Sequence, residues 1–199
     1  MMAILQVIIG GLLSLLGSWL ATRQTHKNAV ERESGNKCET YRRFMKSILD
    51  EIESVFEIYM SGIGKSIEQL PEQHPFLLTG MQGEDYFVVY TSNANLLPLI
   101  DDDKLRRSIV NTYAKAKFLK DTIALNNSIL EQLYDVYLLK IEKSSDPSSA
   151  ERIDKLIEGF QTNLLDFSKS LKKIHDEVKV EVEALKGSII SKLNAWNVQ

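Results

Sequence analysis

Hydrophobic and polar positions divide the chain into three kinds of segment. Residues 3–22 carry no charged side chain, and residues 23–38 are polar with almost no apolar period. Most of the rest has apolar residues at spacings of three and four, which is typical of amphipathic helices packed on a core. We therefore expect an all-α protein, with one N-terminal transmembrane helix followed by a cytoplasmic helical bundle of long, coiled-coil-like helices.

Residues 3–22 (AILQVIIGGLLSLLGSWLAT) are long enough to cross a bilayer, because twenty helical residues rise about 30 Å. Trp19 near one end suits the membrane interface. One alternative is a cleaved signal peptide, but no basic residue precedes the segment, and a cut after Ala21 would put Trp19 where a small residue is expected. Another is a buried helix of a soluble domain, but no polar face is present. We predict a retained transmembrane helix.

Basic residues set the predicted orientation of this span. Arg23, Lys27 and Arg32 follow it and none precedes it. The positive-inside rule then places the N-terminus outside and the bulk of the chain in the cytoplasm, with the protein in the inner (cytoplasmic) membrane. A single cysteine, Cys38, excludes an intrachain disulfide and agrees with a reducing compartment.

Small side chains in the predicted span form one stripe with heptad period. Its members are Ala3, Val7, Gly10, Ser14, Gly17 and Ala21. Helices in lipid associate through close contact of small residues, so we expect a homo-oligomer assembled through this face. Gln6, Ser14 and Ser18 are the polar side chains that could line a path through the membrane. Since glycine and serine are common in all spans, a simple anchor stays open as the alternative.

Residues 23–38 are predicted to be a juxtamembrane stalk, helical or loose. Gly35 and Asn36 suggest an interruption within it. Residues 39–199 then form the predicted cytoplasmic bundle.

Three helices are predicted in this bundle, over about residues 39–61, 101–142 and 148–195. Residues 62–100 are irregular, because glycines and prolines break the pattern repeatedly. Within them, residues 86–90 (YFVVY) are compatible with a strand or a short helix. We prefer the helix, because a lone strand cannot satisfy its own backbone hydrogen bonds.

Two features of the 101–142 helix carry specific expectations. Asp101, Asp102 and Asp103 stand at its start, where carboxylates cap free N–H groups, so a metal site is not needed to explain them. Asn126 falls on the apolar seam, where a buried asparagine fixes helix register at a cost in stability. Asn126→Leu is accordingly expected to stabilise the bundle while loosening its register.

Composition and motifs argue against several classes of function. The net charge of −3 argues against a general nucleic-acid binder. His26, His74 and His175 lie in separate segments and match no metal or catalytic spacing, so we expect no metal, no cofactor and no enzyme. Residues 62–66 (GIGKS) are similar to the end of a phosphate loop, but the earlier glycine is missing because position 59 is tyrosine.

The segment from Tyr86 to Asp121 (YFVVYTSNANLLPLIDDDKLRRSIVNTYAKAKFLKD), behind a single N-terminal span, resembles small, mostly uncharacterised single-span bacterial membrane proteins with a helical cytoplasmic part. In these proteins an aromatic-Ser-Asn turn leads into a helix with a later tyrosine. The resemblance implies a bacterial membrane protein of a kind often carried by mobile elements, some of which act in phage defence. It assigns no functional residue here.

These patterns favour a single-pass membrane protein that self-assembles through its transmembrane helix, as a membrane effector or channel-like component controlled by its cytoplasmic helical domain. The alternative is a membrane-tethered scaffold or regulator whose bundle binds a cytoplasmic protein partner. Membrane lipid and further copies of the chain are the other expected partners.

Overall fold

The computed structural model divides the chain into two compact units, Met1–Phe44 and Met45–Gln199. It describes the backbone of residues 2–80, 85–143 and 147–196. Inside the helices, it does not describe the side chains of residues 2–18, 20, 21, 30, 31, 34, 147 and 148.

The first unit consists of the N-terminal part of helix α1, which spans Met2–Tyr59. The helix passes through Gly35 and Asn36, so the expected interruption there is wrong. One glycine lowers helix stability by about 1 kcal/mol relative to alanine, which a long helix tolerates. An ion pair one turn apart on the helix surface, Lys37–Glu33 at 2.8 Å, brackets this position and supports the helix.

The second unit is a helical bundle, and no strand occurs in the described ranges of the chain. The all-α fold class is therefore confirmed. After the end of α1 come a π-helical turn, two short helices, a 3₁₀ helix and two long helices. Their bounds are Met60–Gly64 (π), Lys65–Glu68 (α2), Val88–Ser92 (α3), Ala94–Leu99 (3₁₀), Asp103–Glu142 (α4) and Pro147–Trp196 (α5).

Helices α4 and α5 form an antiparallel hairpin. Lys115 lies 3.0 Å from Glu181, whereas Lys140, further along α4, lies 2.6 Å from Asp154, nearer the start of α5. Their apolar seams face each other and are buried, as the heptad spacing predicts. The buried hydrophobic positions include Leu105, Ile109, Leu119, Ile123 and Leu133 of α4 and Ile153, Ile157, Leu164, Leu171, Val178, Val182, Leu185, Ile189 and Leu193 of α5.

The C-terminal part of α1 adds a third layer to one half of this hairpin. Met45, Ile48, Ile52 and Tyr59 are buried there, in agreement with the apolar face predicted for residues 39–61. A helix whose apolar side chains recur every three or four residues can bury one face in this way.

The ends of the long helices follow the expected chemistry. Asp102 is the N-cap of α4, and its Oδ1 accepts hydrogen bonds at 3.1 Å from the backbone N–H groups of Lys104 and Leu105. The capping interpretation of the three aspartates is thus confirmed for Asp102. Pro147 is the first residue of α5, where its missing N–H costs nothing.

Residues 62–100 contain short elements rather than a sheet. The preference for a helix near residues 86–90 is confirmed, since α3 begins at Val88. Helix α3 ends at Ser92, and the 3₁₀ helix, which includes Pro98, begins at Ala94. Proline fits there because its fixed φ suits a tight helical turn.

Candidate functional site

A buried histidine lies where the end of α1 meets α5. His175 of α5 is completely buried (0 % exposed), and its ring Nδ1 is 2.6 Å from the hydroxyl oxygen of Tyr59. Tyr59 is the last residue of α1 and is also buried. The two ring centroids are 5.7 Å apart. This contact joins parts of the chain that are 116 residues apart in sequence.

The second ring nitrogen of His175 faces a carboxylate without bonding to it. Nε2 lies 3.7 Å from Oε1 of Glu68 in α2, beyond hydrogen-bond distance. Nε2 is buried, and no hydrogen-bond partner for it exists among the described residues. Glu68 instead forms a hydrogen-bonded ion pair with Lys179, one turn after His175 in α5. The three elements α1, α2 and α5 therefore meet at one polar cluster, which we call the His175 junction (Tyr59, Glu68, His175 and Lys179).

The π-helical turn after Tyr59 creates the space for this junction. Gly62 departs from helical geometry (φ −118°, ψ −105°), so the chain kinks between α1 and α2. Gly64 is buried, and a Cβ at this position would lie 2.8 Å from Cε1 of Tyr59 and from Sδ of Met60. Only glycine permits such a close approach of the backbone to the tyrosine ring. π-helical turns are rare and often occur at functional sites.

Burial has the largest effect on the pKa values of His175 and Tyr59. Burial lowers the pKa of His175, while the negative charges of Asp176 and Glu68 act in the opposite direction. Burial also raises the pKa of the Tyr59 hydroxyl, with further contributions from Glu68 and Asp176. The hydrogen bond from Lys179 lowers the pKa of the Glu68 carboxyl. The neutral imidazole and the neutral phenol are thus the favoured forms, with the charges held by Glu68 and Lys179.

A second polar cluster lies around Glu51 of α1. Its carboxylate accepts hydrogen bonds from the backbone N–H groups of Val89 (2.5 Å) and Tyr90 (3.1 Å), at the start of α3. It also accepts one from the hydroxyl of Tyr113 in α4, at 2.7 Å. A side chain of α1 therefore supplies the N-terminal partner that α3 lacks within its own sequence, because no side-chain cap is present at Phe87.

Aromatic rings complete this second cluster. Tyr90 stacks on Tyr113, with ring centroids 4.0 Å apart and an angle of 11° between the ring planes. Phe87 packs against the same Tyr113 ring edge to face, with a centroid distance of 5.3 Å and an interplanar angle of 81°. Burial, followed by the hydrogen bond to Glu51, raises the pKa of the Tyr113 hydroxyl. Two aromatic residues of the segment 86–90, Phe87 and Tyr90, are thus packed onto the bundle.

A small apolar cavity lies between the two clusters. Its volume is about 40 Å³, and Tyr59, Phe87, Tyr113 and Val178 are among the residues around it. A cavity of this size has room for about one water molecule. Small-molecule sites usually measure about 300–1,000 Å³, so this cavity is not a substrate pocket.

Two buried asparagines hold the segment between α2 and α3. Asn126 Nδ2 donates to the carbonyl of Phe76 at 3.1 Å, and Asn127 Nδ2 donates to the carbonyl of Gly80 at 2.9 Å. From α5, the hydroxyl of Ser168 accepts the N–H of Phe76 at 2.6 Å. The Phe76 side chain is 1 % exposed, so an irregular segment is anchored by one aromatic ring and three polar bonds.

The site residues predicted from the sequence belong to two sets, those of residues 3–22 and Asn126 of α4. Ala3, Val7, Gly10, Ser14, Gly17 and Ala21, together with Gln6 and Ser18, lie outside the described side chains. Asn126 is completely buried on the α4 seam, but its amide binds the Phe76 carbonyl. This bond gives Asn126 a role in anchoring the segment before α3, and its role in helix register stays a prediction.

Among the described residues, neither a candidate membrane-spanning helix nor a metal-binding group is found. None of the helices searched combines the length and the apolar character needed to cross a membrane, and the predicted span falls on side chains that the structure leaves undescribed apart from Trp19 and Thr22. No group of three or more histidine, cysteine, aspartate or glutamate side chains suited to a metal ion is found in the same described ranges.

Sequence reasoning missed the His175 junction for an identifiable reason. Strict heptad spacing along α5 puts Ile174 and not His175 on the apolar seam, yet Ile174 is only half-buried and His175 is fully buried. The spacing of four from Leu171 to His175 and of three from His175 to Val178 gives the same helical face. This signal was available, whereas the partners Tyr59 and Glu68 were visible only in three dimensions.

Comparisons with known proteins identify no relative. No protein-family model, no curated protein and no solved structure matches this chain.

Proposed function

We propose that this chain is a single-pass membrane protein that self-assembles through residues 3–22, with the helical bundle of the second unit on the cytoplasmic side. In this proposal the span is the working part of a membrane effector or channel-like component, and the bundle controls it. The assignment to phage defence rests on the resemblance of residues 86–121 alone.

The observation that carries the proposal is the uncharged stretch of residues 3–22 within a helical backbone. Twenty uncharged, mostly apolar helical residues match the thickness of the hydrocarbon core, and a helix satisfies its backbone hydrogen bonds internally. The basic residues Arg23, Lys27 and Arg32 support an orientation with the bundle in the cytoplasm.

The heptad stripe supports self-assembly. Gly10 and Ser14 are at its centre, and small residues there allow two helix backbones to approach closely. Gln6, Ser14 and Ser18 supply hydrogen-bonding groups for such an interface or for a polar path between several copies.

The alternative is a membrane-tethered scaffold or regulator, and one observation favours it. Large apolar side chains are exposed where α4 ends and α5 begins: Tyr134 (64 %), Leu138 (43 %), Ile141 (71 %) and Leu156 (52 %). Clustered apolar exposure of this kind is found at protein-binding surfaces. A cytoplasmic protein partner would cover it, and the span would serve only as an anchor.

The test of membrane insertion uses the only cysteine. Cys38 is exposed and follows the proposed span, so a membrane-impermeant maleimide should label it in inside-out vesicles and not in right-side-out vesicles. The protein should also stay with the membranes during alkaline carbonate extraction. Release by carbonate would contradict the membrane proposal, and labelling in right-side-out vesicles alone would reverse the orientation.

The test of self-assembly compares two double variants by their mass in detergent. Gly10→Leu with Ser14→Leu keeps the span apolar but fills the stripe, so it should lower the oligomer mass to that of a monomer. Leu12→Ile with Leu16→Ile, off the stripe, should leave the mass unchanged. A monomeric native protein, or equal masses for native protein and stripe variant, would refute self-assembly and leave the tethered scaffold.

A further inference from the structure

We propose that the His175 junction is an acid-sensitive latch, which holds the end of α1 and the π-helical turn against α5 while His175 is neutral and releases them when His175 is protonated. This inference concerns the bundle and does not depend on whether residues 3–22 cross a membrane.

The hydrogen-bond geometry distinguishes the two protonation states of His175. The Glu68 carboxylate near Nε2 favours the neutral tautomer with the ring proton on Nε2, and in this tautomer Nδ1 accepts the hydroxyl proton of Tyr59 across 2.6 Å. In the protonated ring, both nitrogens are donors, so the Tyr59 hydroxyl must accept from Nδ1 and turn its own proton into buried surroundings. Protonation therefore reverses the direction of this bond and leaves the hydroxyl proton of Tyr59 without the acceptor that it has in the closed latch.

The second nitrogen gives the protonated ring no better partner. Oε1 of Glu68 is 3.7 Å from Nε2, and that carboxylate is already bound by Lys179. To accept a hydrogen bond from Nε2, the Glu68 carboxylate has to move closer to the ring or share its oxygens with Lys179. In the closed junction a protonated ring is therefore buried without a hydrogen-bonded counter-ion, which favours its release into water.

The charges acting on His175 come from two elements. Glu68 of α2 and Asp176 of α5 favour the protonated ring, whereas Lys179 of α5 opposes it. Tyr59 of α1 contributes a hydroxyl that stays neutral. Burial outweighs the two carboxylates, so the pKa of His175 lies below its ordinary value of about 6.5 in the closed latch.

The sign of the pH effect follows from this difference. A released His175 is exposed to water and regains its ordinary pKa, so the open state binds more protons than the closed state below about pH 6.5. Acid therefore favours opening, and the effect levels off once the pH falls below the pKa of the closed state. Each unit of difference between the two pKa values changes the opening equilibrium about tenfold.

The backbone around Tyr59 is suited to open locally. The π-helical turn carries a non-helical residue, Gly62, and α2 has only four residues, so few hydrogen bonds oppose their movement. In contrast, α4 and α5 are continuous for 40 and 50 residues. Acid opening should therefore be confined to residues near 59–70.

Hydrogen–deuterium exchange of the full-length chain in detergent micelles tests the latch. Exchange is compared at about pH 7.5 and about pH 5, after correction for the intrinsic rate, because the two values bracket the ordinary pKa of histidine. Peptides covering residues 59–70 should exchange several-fold faster at the lower pH. Peptides covering 105–123 in α4 should change little.

Matched variants assign the effect to one histidine. His175→Phe should remove the pH dependence at residues 59–70, and His74→Gln, at an exposed position, should retain it. Equal protection of the native protein at both pH values would overturn the proposal, and so would pH dependence that survives in His175→Phe.

A direct titration keeps the latch testable if His175→Phe does not fold. The ring carbons of the three histidines can be followed by NMR in the native protein, with His26→Gln and His74→Gln used for assignment. The latch requires that the His175 resonance titrate below the ordinary histidine pKa of about 6.5 and that the amide signals of residues 59–70 shift with it. A titration of His175 at or above its ordinary pKa would refute the latch.

Discussion

Removing the Glu51 carboxylate should destabilise the bundle more than any other change of one acidic residue in α1. Three hydrogen bonds end on this carboxylate: from Val89 N–H, from Tyr90 N–H and from the hydroxyl of Tyr113. Tyr113 is 1 % exposed, so water cannot replace the lost acceptor for its hydroxyl. Glu51→Ala therefore leaves one buried donor and two helix-terminal N–H groups without their partner.

The magnitude follows from the kinds of bond lost. A hydrogen bond to a charged group contributes about 1.5–3 kcal/mol when buried, and loss of a helix N-cap costs about 1 kcal/mol. The N–H groups of α3 are partly accessible to water, so we expect Glu51→Ala to lower the free energy of unfolding by about 2–4 kcal/mol. That is a large share of the roughly 5–15 kcal/mol typical of a domain.

Urea unfolding of the full-length chain in detergent micelles, followed by circular dichroism at the helix band, measures this change. Glu57→Ala removes an exposed carboxylate from the same helix and should change the free energy by less than about 0.5 kcal/mol. Glu51→Gln keeps the shape of the side chain but offers only one acceptor oxygen, so we expect it to lower the free energy of unfolding by about 1–2 kcal/mol.

A double-mutant cycle isolates the bond to Tyr113. Tyr113→Phe retains the stacked ring and removes only the hydroxyl, and combining it with Glu51→Gln should show a coupling of about 1 kcal/mol. If Glu51→Ala costs less than about 1 kcal/mol, or the two changes are strictly additive, then Glu51 does not organise this cluster in the way its hydrogen bonds indicate.

Three further predictions follow from the same contacts. Gly64→Ala puts a methyl group 2.8 Å from the ring of Tyr59 and should destabilise the bundle by about 1–3 kcal/mol. The control Gly159→Ala, with nothing within 4 Å, should stabilise the bundle by about 0.5–1 kcal/mol. Equal urea midpoints for the two variants would contradict the close approach at Gly64. Asn126→Leu removes the donor to the Phe76 carbonyl and should cost about 1–3 kcal/mol, the reverse of the expectation from the seam alone; a raised melting temperature would restore that expectation. Because the pKa of His175 is lowered in the fold, the unfolded chain takes up more protons below about pH 6.5, so the urea midpoint should fall from pH 7 to pH 5, and His175→Phe should flatten this slope.

Much of the fold could be predicted from local spacing. The apolar residues of α4 and α5 recur at intervals of three and four, so both helices and their buried faces could be read directly. Asp102 and Pro147 marked helix starts, because capping and the first helical turn depend on neighbouring residues only. The bounds of these helices were accordingly predicted to within two residues.

The polar clusters were harder to predict from the sequence. The seam pattern predicted a register role for Asn126, which stays a prediction, and gave no indication of its hydrogen bond to the carbonyl of Phe76. Glu51 resembled any surface acid of an amphipathic helix, since its acceptor role depends on the position of α3, 38 residues later.

The sequence by itself determines the class of this protein: long amphipathic helices behind an uncharged N-terminal stretch. Periodicity and charge are local properties, and they translate directly into helices and their buried faces. Only the tertiary structure decides which polar groups come into contact. Tyr59, Glu68 and His175 form one junction because a π-helical kink turns the chain back beside α5, and no local pattern encodes that meeting.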